Sequence, residues 1–174
     1  MIVVLVAAPK LAKKLGLIPL IRHSLLIGFV LYMGLFAMHM FTDVNPWVHM
    51  IWSSLASGIG MVSIQMQWGM VGEAIDYNEY LTGKRTEGSI YGTFNLSRRI
   101  GQTIGQGFAL YGLAWIGYEG TAAVQSAGTI FGLKVLCVLV PCVFILGSWA
   151  AFKFVWNITP ETRAAMAAKK AEKN

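Results

Sequence analysis

The feature that most limits what this chain can become is its succession of long apolar stretches joined by short turns. Ser24 to Phe41 contains no charged residue. As a helix it would extend about 27 Å, close to the thickness of a bilayer's hydrocarbon. Residues 46–72, 89–117 and 126–156 are longer still. The whole chain is 56% hydrophobic and 13% charged, with a mean hydropathy of +0.59. A soluble domain carries about 25% charged residues, so a water-soluble fold is excluded and an all-α membrane protein is expected. The formal net charge of +6 does not point to nucleic acid, because the basic residues cluster between apolar runs.

The expected organisation runs as follows. Residues 1–8 are the remnant of a transmembrane helix, too short to span and without the basic start of a signal peptide. Residues 9–23 are a basic loop with Lys10, Lys13, Lys14 and Arg22, broken by Gly16 and Pro19. Complete spans cover 24–41, 46–72, 89–117 and 126–156, and a charged loop occupies 73–88. Asn45-Pro46 reads as a helix start, with Asn as cap and Pro in the first turn. Trp47 and Trp52 are placed for a membrane interface. Gly101, Gly105, Ala109 and Gly112 form one small-residue face suited to close helix packing. Pro141 is expected to kink the last span. Residues 157–174 form a tail whose polar helix, started by Thr159-Pro160-Glu161, frays into solvent. The loops at 10–22 and 84–85 and the tail hold nearly all the Lys and Arg outside the spans. That alternation places them, and the C-terminus, on the cytoplasmic side of an inner or plasma membrane.

Function is expected to sit in Gly72 to Gln106, a polar knot between apolar spans that holds Glu73, Asp76, Glu79, Glu87, Lys84, Arg85, Arg98 and Arg99. Ionisable groups near hydrocarbon mark pathways or gates. No nucleophile and base pair and no phosphate loop is present, so no catalytic residues are assigned and an enzyme is not expected. His23, His39 and His49 show no ligand spacing, and no metal site is expected. Cys137 and Cys142, five residues apart, face different directions and read as small buried hydrophobes. Lys134 either reaches the outer headgroups or pairs with Glu119.

The run Asp76-Tyr77-x-Glu79-Tyr80-x-x-Gly83-Lys84-Arg85-x-Glu87-Gly88-x-x-Tyr91 resembles the loop between helices 10 and 11 of the glycoside–pentoside–hexuronide:cation symporters. These are the melibiose-permease-like branch of the major facilitator superfamily. Ser97-Arg98-Arg99-x-Gly101-Gln102-x-x-Gly105 is similar to that family's helix 11, and Gly132-Leu133-Lys134 with Pro141 to its helix 12. The resemblance covers the whole chain. It implies the C-terminal part of a major-facilitator-type bundle, about four complete transmembrane helices plus a truncated one. It further implies secondary active transport of a glycoside, pentoside or hexuronide by alternating access, coupled to Na⁺ or H⁺.

What the resemblance implies about residues is narrower. Arg99 stands where melibiose permeases place a cavity-facing Lys; there it would hold a sugar hydroxyl or a substrate carboxylate bidentately, or else snorkel to the surface. Phe94 and Asn95 occupy positions of sugar contacts. On helix 10, Ile64 replaces a sugar-contacting Trp and Gln67 matches a Gln. Asp76 and Arg85, with Glu73 and Glu87, read either as a cytoplasmic gate between bundles or as a solvated loop; Arg98 is assigned to snorkelling or to that bundle boundary. No cofactor is bound by this chain, and the coupling-ion site is expected in the first helical bundle, which the chain lacks. Expected partners are membrane lipid, a sugar substrate and that missing bundle. The alternative is a non-transporting membrane subunit or an inert fragment.

Overall fold

The computed structural model describes the backbone of residues 2–173 and the side chains of residues 8–171. All regular structure among the described residues is helical: α1 (Ile2–Leu15), α2 (Leu17–Phe41), α3 (Pro46–Thr82), α4 (Glu87–Trp115), α5 (Ala127–Lys134), a π-helical turn (Val135–Leu139), α6 (Val140–Phe154) and α7 (Pro160–Lys173). Met1, the first residue of the expected helix remnant, lies outside the described residues.

The loop expected over 9–23 is instead two helices with one break. Pro19 falls in the first turn of α2, where a main-chain N–H has no acceptor to lose. Pro9 sits inside α1; next to it Ala8 is buried against Ile18, Leu20, Ile21, Leu25 and Met66, and this packing holds the helix through the lost bond. The break falls at Gly16, whose φ of +86° is open to glycine and strained for other residues.

The α2–α3 hairpin turns through residues 42–45. Asn45 caps α3 by accepting from the Trp47 N–H at 2.9 Å, with Pro46 in the first turn. Trp52 Nε1 donates to the Leu31 carbonyl at 2.8 Å, and the Tyr32 and Ser57 hydroxyls meet at 2.9 Å. Trp52 thus ties the hairpin together, while Trp47 is exposed. The 37 residues of α3 extend about 55 Å, well beyond a hydrocarbon core of about 30 Å. Its end lies at Thr82 rather than near residue 72, because nothing between Gly72 and Gly83 stops it; Gly83 then caps it with its N–H on the Glu79 carbonyl at 2.9 Å. Glu73, Asp76 and Glu79 therefore stand on a rigid helix and not in a loop.

The last span is one rod built from α5, the π turn and α6. Pro141 has no N–H to offer the Cys137 carbonyl. One residue earlier, the Val140 N–H reaches back five residues to the Val135 carbonyl, the wider turn of a π bulge. Cys142 is buried in the rod and Cys137 is exposed, not buried as expected; both are free. Near its end α6 packs on α2: Arg22 Nε donates to the Phe152 carbonyl at 2.9 Å, and its Nη2 reaches the same oxygen. Arg22 so satisfies a carbonyl in the last turn of α6.

In contrast α4 has no buried residue. It touches α3 near its start and the π turn near its end. A Cβ on Gly112 would lie 2.7 Å from Leu136 Cδ1, whereas nothing stands within 4 Å of one on Gly101 or Gly105. The small-residue face is thus occupied only at its far end. Among the described residues, three segments are long and apolar enough to cross a membrane: Leu17–Phe41, Pro46–Thr82 and Ala127–Phe154. With 29 residues α4 has the length but not the apolarity.

Candidate functional site: a charged rim and an open polar helix

The C-terminal end of α3, the turn at residues 83–86 and the first turn of α4 form a charged rim. Arg85 is its hub. Its Nη1 contacts Asp76 Oδ1 at 3.2 Å and Glu79 Oε2 at 3.0 Å, and its Nε donates to Glu87 Oε1 at 2.6 Å. Asp76 and Glu79 lie three residues apart on one face of α3, and Glu87 opens α4, so a single guanidinium fork staples the two helices. Hydrogen bonds to Glu87 and then Glu79 push the Arg85 pKa above its ordinary value, because they favour the charged form. From α3, Asn78 Nδ2 donates across to Thr86 Oγ1 of the turn at 2.9 Å. Three of the expected gate residues, Asp76, Arg85 and Glu87, therefore meet.

The fourth, Glu73, is engaged elsewhere. It accepts from Arg163 Nη2 of α7 at 2.8 Å. The tail helix does not fray into solvent but lies along α3: Lys169 Nζ donates to the Tyr80 carbonyl at 2.9 Å, and Lys170 Nζ stands 3.9 Å from Asp76. Between α3 and α7 a cavity of about 600 Å³ is lined by Glu73, Asp76, Glu79, Tyr80, Arg163 and Met166 among others. Its signal in the sequence was the set of basic residues in the tail, Arg163, Lys169, Lys170 and Lys173, against the acids Glu73, Asp76 and Glu79 on α3.

Arg98 is not brought to this rim. Its guanidinium lies over the Trp68 ring, 5.8 Å from the centroid. Trp68 also stacks on Tyr91 at 6.4 Å and meets Phe94 edge to face at 5.5 Å. This aromatic cluster is the main α3–α4 contact above the rim, and Trp68, 46% exposed, is its centre. Sequence reasoning passed over Trp68, although it stands one helical turn after Ile64 and so shares its face.

The expected substrate residues are distributed around α3 and α4. Arg99 is exposed, and its guanidinium makes no hydrogen bond or ion pair with the described residues. Asn95 donates to the Tyr91 carbonyl at 3.0 Å, leaving its amide oxygen unused. Phe94 rests on Trp68. Gln67 is half-buried, and Ile64 lines a cleft of about 790 Å³ between α2, α3 and α6 with Ser53, Ser54, Ser57 and Ser148. Asn95 and Arg99 are one turn apart on α4 and so share a face, on which Asn95 is half-buried and Arg99 exposed among the described residues.

A third polar group lies at the other end of the molecule. Lys134 Nζ donates to the His39 carbonyl at 2.7 Å, and His39 Nε2 meets His49 Nδ1 at 2.8 Å. Lys134 is thus anchored to α2, and Glu119 instead pairs its main chain with Gln125. The two histidines were legible only as the residues flanking a very short turn. Among the described residues no group of three or more metal-ligating side chains forms.

A family model described as MFS/sugar transport protein matches residues 1–159. The uncharacterized symporter YjmB of Bacillus subtilis is 30% identical over 157 residues, covering 90% of this chain and 33% of that protein. The glucuronide carrier protein homolog of Escherichia coli is 33% identical over 138 residues, 78% of this chain and 29% of the relative. A putative sulfoquinovose importer of the same organism is 29% identical over 146 residues, 83% of this chain and 31% of its own length. The chain thus spans about a third of the length of these curated relatives. No solved structure matches. These relatives bear the names of carriers and not of enzymes, and an all-helical chain with three membrane-length apolar segments suits them. The matched region takes in the rim, the open helix and the last span, and on that ground the chain belongs to the MFS/sugar transport proteins, in their glycoside–pentoside–hexuronide symporter branch.

Proposed function

We propose that this chain supplies the substrate-facing helix and one half of the cytoplasmic gate of a cation-coupled carrier for anionic sugar derivatives. The observation that carries the reading is α4. It has spanning length, no buried residue and, on the face that also bears Asn95, an Arg99 unpaired among the described residues. A helix with an arginine and amides on an uncovered face suits a water-filled cavity and not lipid. A guanidinium there can hold a carboxylate or sulfonate through two parallel N–H donors. The names of two relatives support the same chemistry, since a glucuronide carries a carboxylate and sulfoquinovose a sulfonate.

On this reading a first bundle, on the same longer chain or a separate one, faces α4, and the Na⁺ or H⁺ site lies in that bundle. The rim faces the cytoplasm, as its basic residues and those of the tail favour. Asp76 is the exchangeable acid of the gate: Arg85 at 3.2 Å and Lys170 at 3.9 Å share it, so it can take a partner from the opposing bundle at small cost. Lipid and the sugar are the other partners.

The test is a chimera in which the glucuronide carrier homolog keeps its first two thirds and receives this chain as its last third. Uptake of a labelled glucuronide is expected. Arg99→Ala should raise the half-saturating concentration about 10- to 100-fold, the worth of a charge-assisted hydrogen bond, and leave a neutral glycoside unaffected. Equal losses for charged and neutral substrates would sink the assignment of Arg99.

A further inference from the structure

The turn end of the α2–α3 hairpin carries a node that the transport reading does not use. His39 comes from the last turn of α2, His49 from the first turn of α3 and Lys134 from the end of α5. The imidazole nitrogens are 2.8 Å apart, with ring centroids at 5.0 Å and planes at 64°. An N–H···N bond needs one proton between two ring nitrogens. Two neutral rings, or one neutral and one charged, can supply it. Two charged rings cannot, because each then has only donors and the pair repels.

Lys134 fixes the other side of the node. Its ammonium bonds the main-chain oxygen of His39 and not a ring nitrogen, so it holds the backbone of α2 to α5 whatever the state of the imidazoles. His49 and Lys134 are the ionisable side chains that contact His39, and no acid ion-pairs with either ring among the described residues. A divalent metal is the poorer occupant. Two nitrogens on one tetrahedral zinc would sit about 3.3 Å apart, the Lys134 ammonium opposes a second cation, and no third ligand is grouped with them among the described residues.

We propose that His39, His49 and Lys134 form a proton-operated latch. It holds the turn end of the hairpin together while one imidazole stays neutral and releases it when both are charged. The latch lies outside the rim and the α4 face and stands whether or not the transport reading does.

Hydrogen–deuterium exchange of the chain in lipid nanodiscs tests it at about pH 8 and about pH 5, which bracket histidine titration, with rates divided by the intrinsic chemical rates. The reporters are the amides of Thr42 and His49, which donate to Met38 and Asn45 at 3.0 and 3.1 Å. The Gly83 amide at the far rim is the internal control. In the wild type, protection of Thr42 and His49 should fall about five- to tenfold at the lower pH, what the loss of one hydrogen bond produces, with Gly83 unchanged. His49→Gln presents an amide oxygen that accepts from His39 in either state, and should stay protected at both pH values. His49→Phe should be weakly protected at both. Unchanged wild-type protection, an equal fall at Gly83, or acid loosening of His49→Gln as in the wild type would each overturn the latch.

Discussion

At the scale of single residues, Arg85 decides more than any other side chain at the rim. One guanidinium engages acids on two helices, so its removal takes a partner from three carboxylates at once. In the full carrier, Arg85→Ala should cut turnover more than substrate affinity, measured as initial rate against half-saturation; a loss of affinity with turnover intact would remove Arg85 from the gate. The pH dependence of this contact follows from the direction of the shift. The folded-state pKa of Arg85 is raised, so its stabilisation is complete below the unfolded value and is lost only as pH rises through the folded one. Both lie far above neutrality, and the charge on Arg85 is constant between about pH 5 and 9. Salt is the effective lever: the contacts are exposed and screened, so 0.5–1 M salt, at about 3–4 Å screening length, should move the wild type towards Arg85→Ala. The meeting of Asp76 with Arg85 was legible because both lie in one short run of charges. The partner of Glu73 was not, because Arg163 is 90 residues away and no periodicity links them.

At the scale of elements, α4 and the last span meet through missing side chains. A Cβ on Gly112 would lie 2.7 Å from Leu136 Cδ1, and one on Gly132 the same distance from Ile116 Cγ2. Gly132→Ala should therefore destabilise the chain by about 1–3 kcal/mol, as overpacking does, whereas Gly105→Ala, with open space around it, should be neutral or stabilising by up to about 1 kcal/mol. Unfolding in mixed micelles followed by circular dichroism would compare them; equal effects would mean that α4 does not pack on the last span as described. The glycine spacing on α4 revealed the small face but not its use, since a stripe is silent about where along it a neighbour crosses. The same limit explains the N-terminal third. Pro9 and Pro19 are helix breakers in isolation, and only burial of Ala8 and the first-turn position of Pro19 let both helices form.

At the scale of the whole molecule, α7 converts the rim from a turn into a two-sided clasp. Arg163 and Glu73 are 30% and 25% exposed, so their pair should contribute about 0.2–1 kcal/mol. A double-mutant cycle of Arg163→Ala and Glu73→Ala, read as the rate of protease cleavage within residues 155–160, should show a coupling energy of that size; strict additivity would mean that α7 is held by Lys169 and Lys170 alone. The all-helical membrane architecture was legible from apolar length, and the family from the spaced charges after Gly72. What the sequence left unstated was the third dimension: which face of α4 stays open, where the tail lies, and that two histidines across a four-residue turn touch. The openness of α4 also has a consequence for how the protein is made. Arginine at a bilayer centre costs an inserting helix about 2.5–3.5 kcal/mol, and α4 carries Arg98 and Arg99 in succession without the apolar surplus of its neighbours. It should be a poor substrate for the translocon by itself. Its entry into the bilayer must wait until α3 offers the Trp68 ring to Arg98 and α5 offers the crevice around Gly132, so the order of synthesis, α3 before and α5 after, becomes part of how this helix reaches its place.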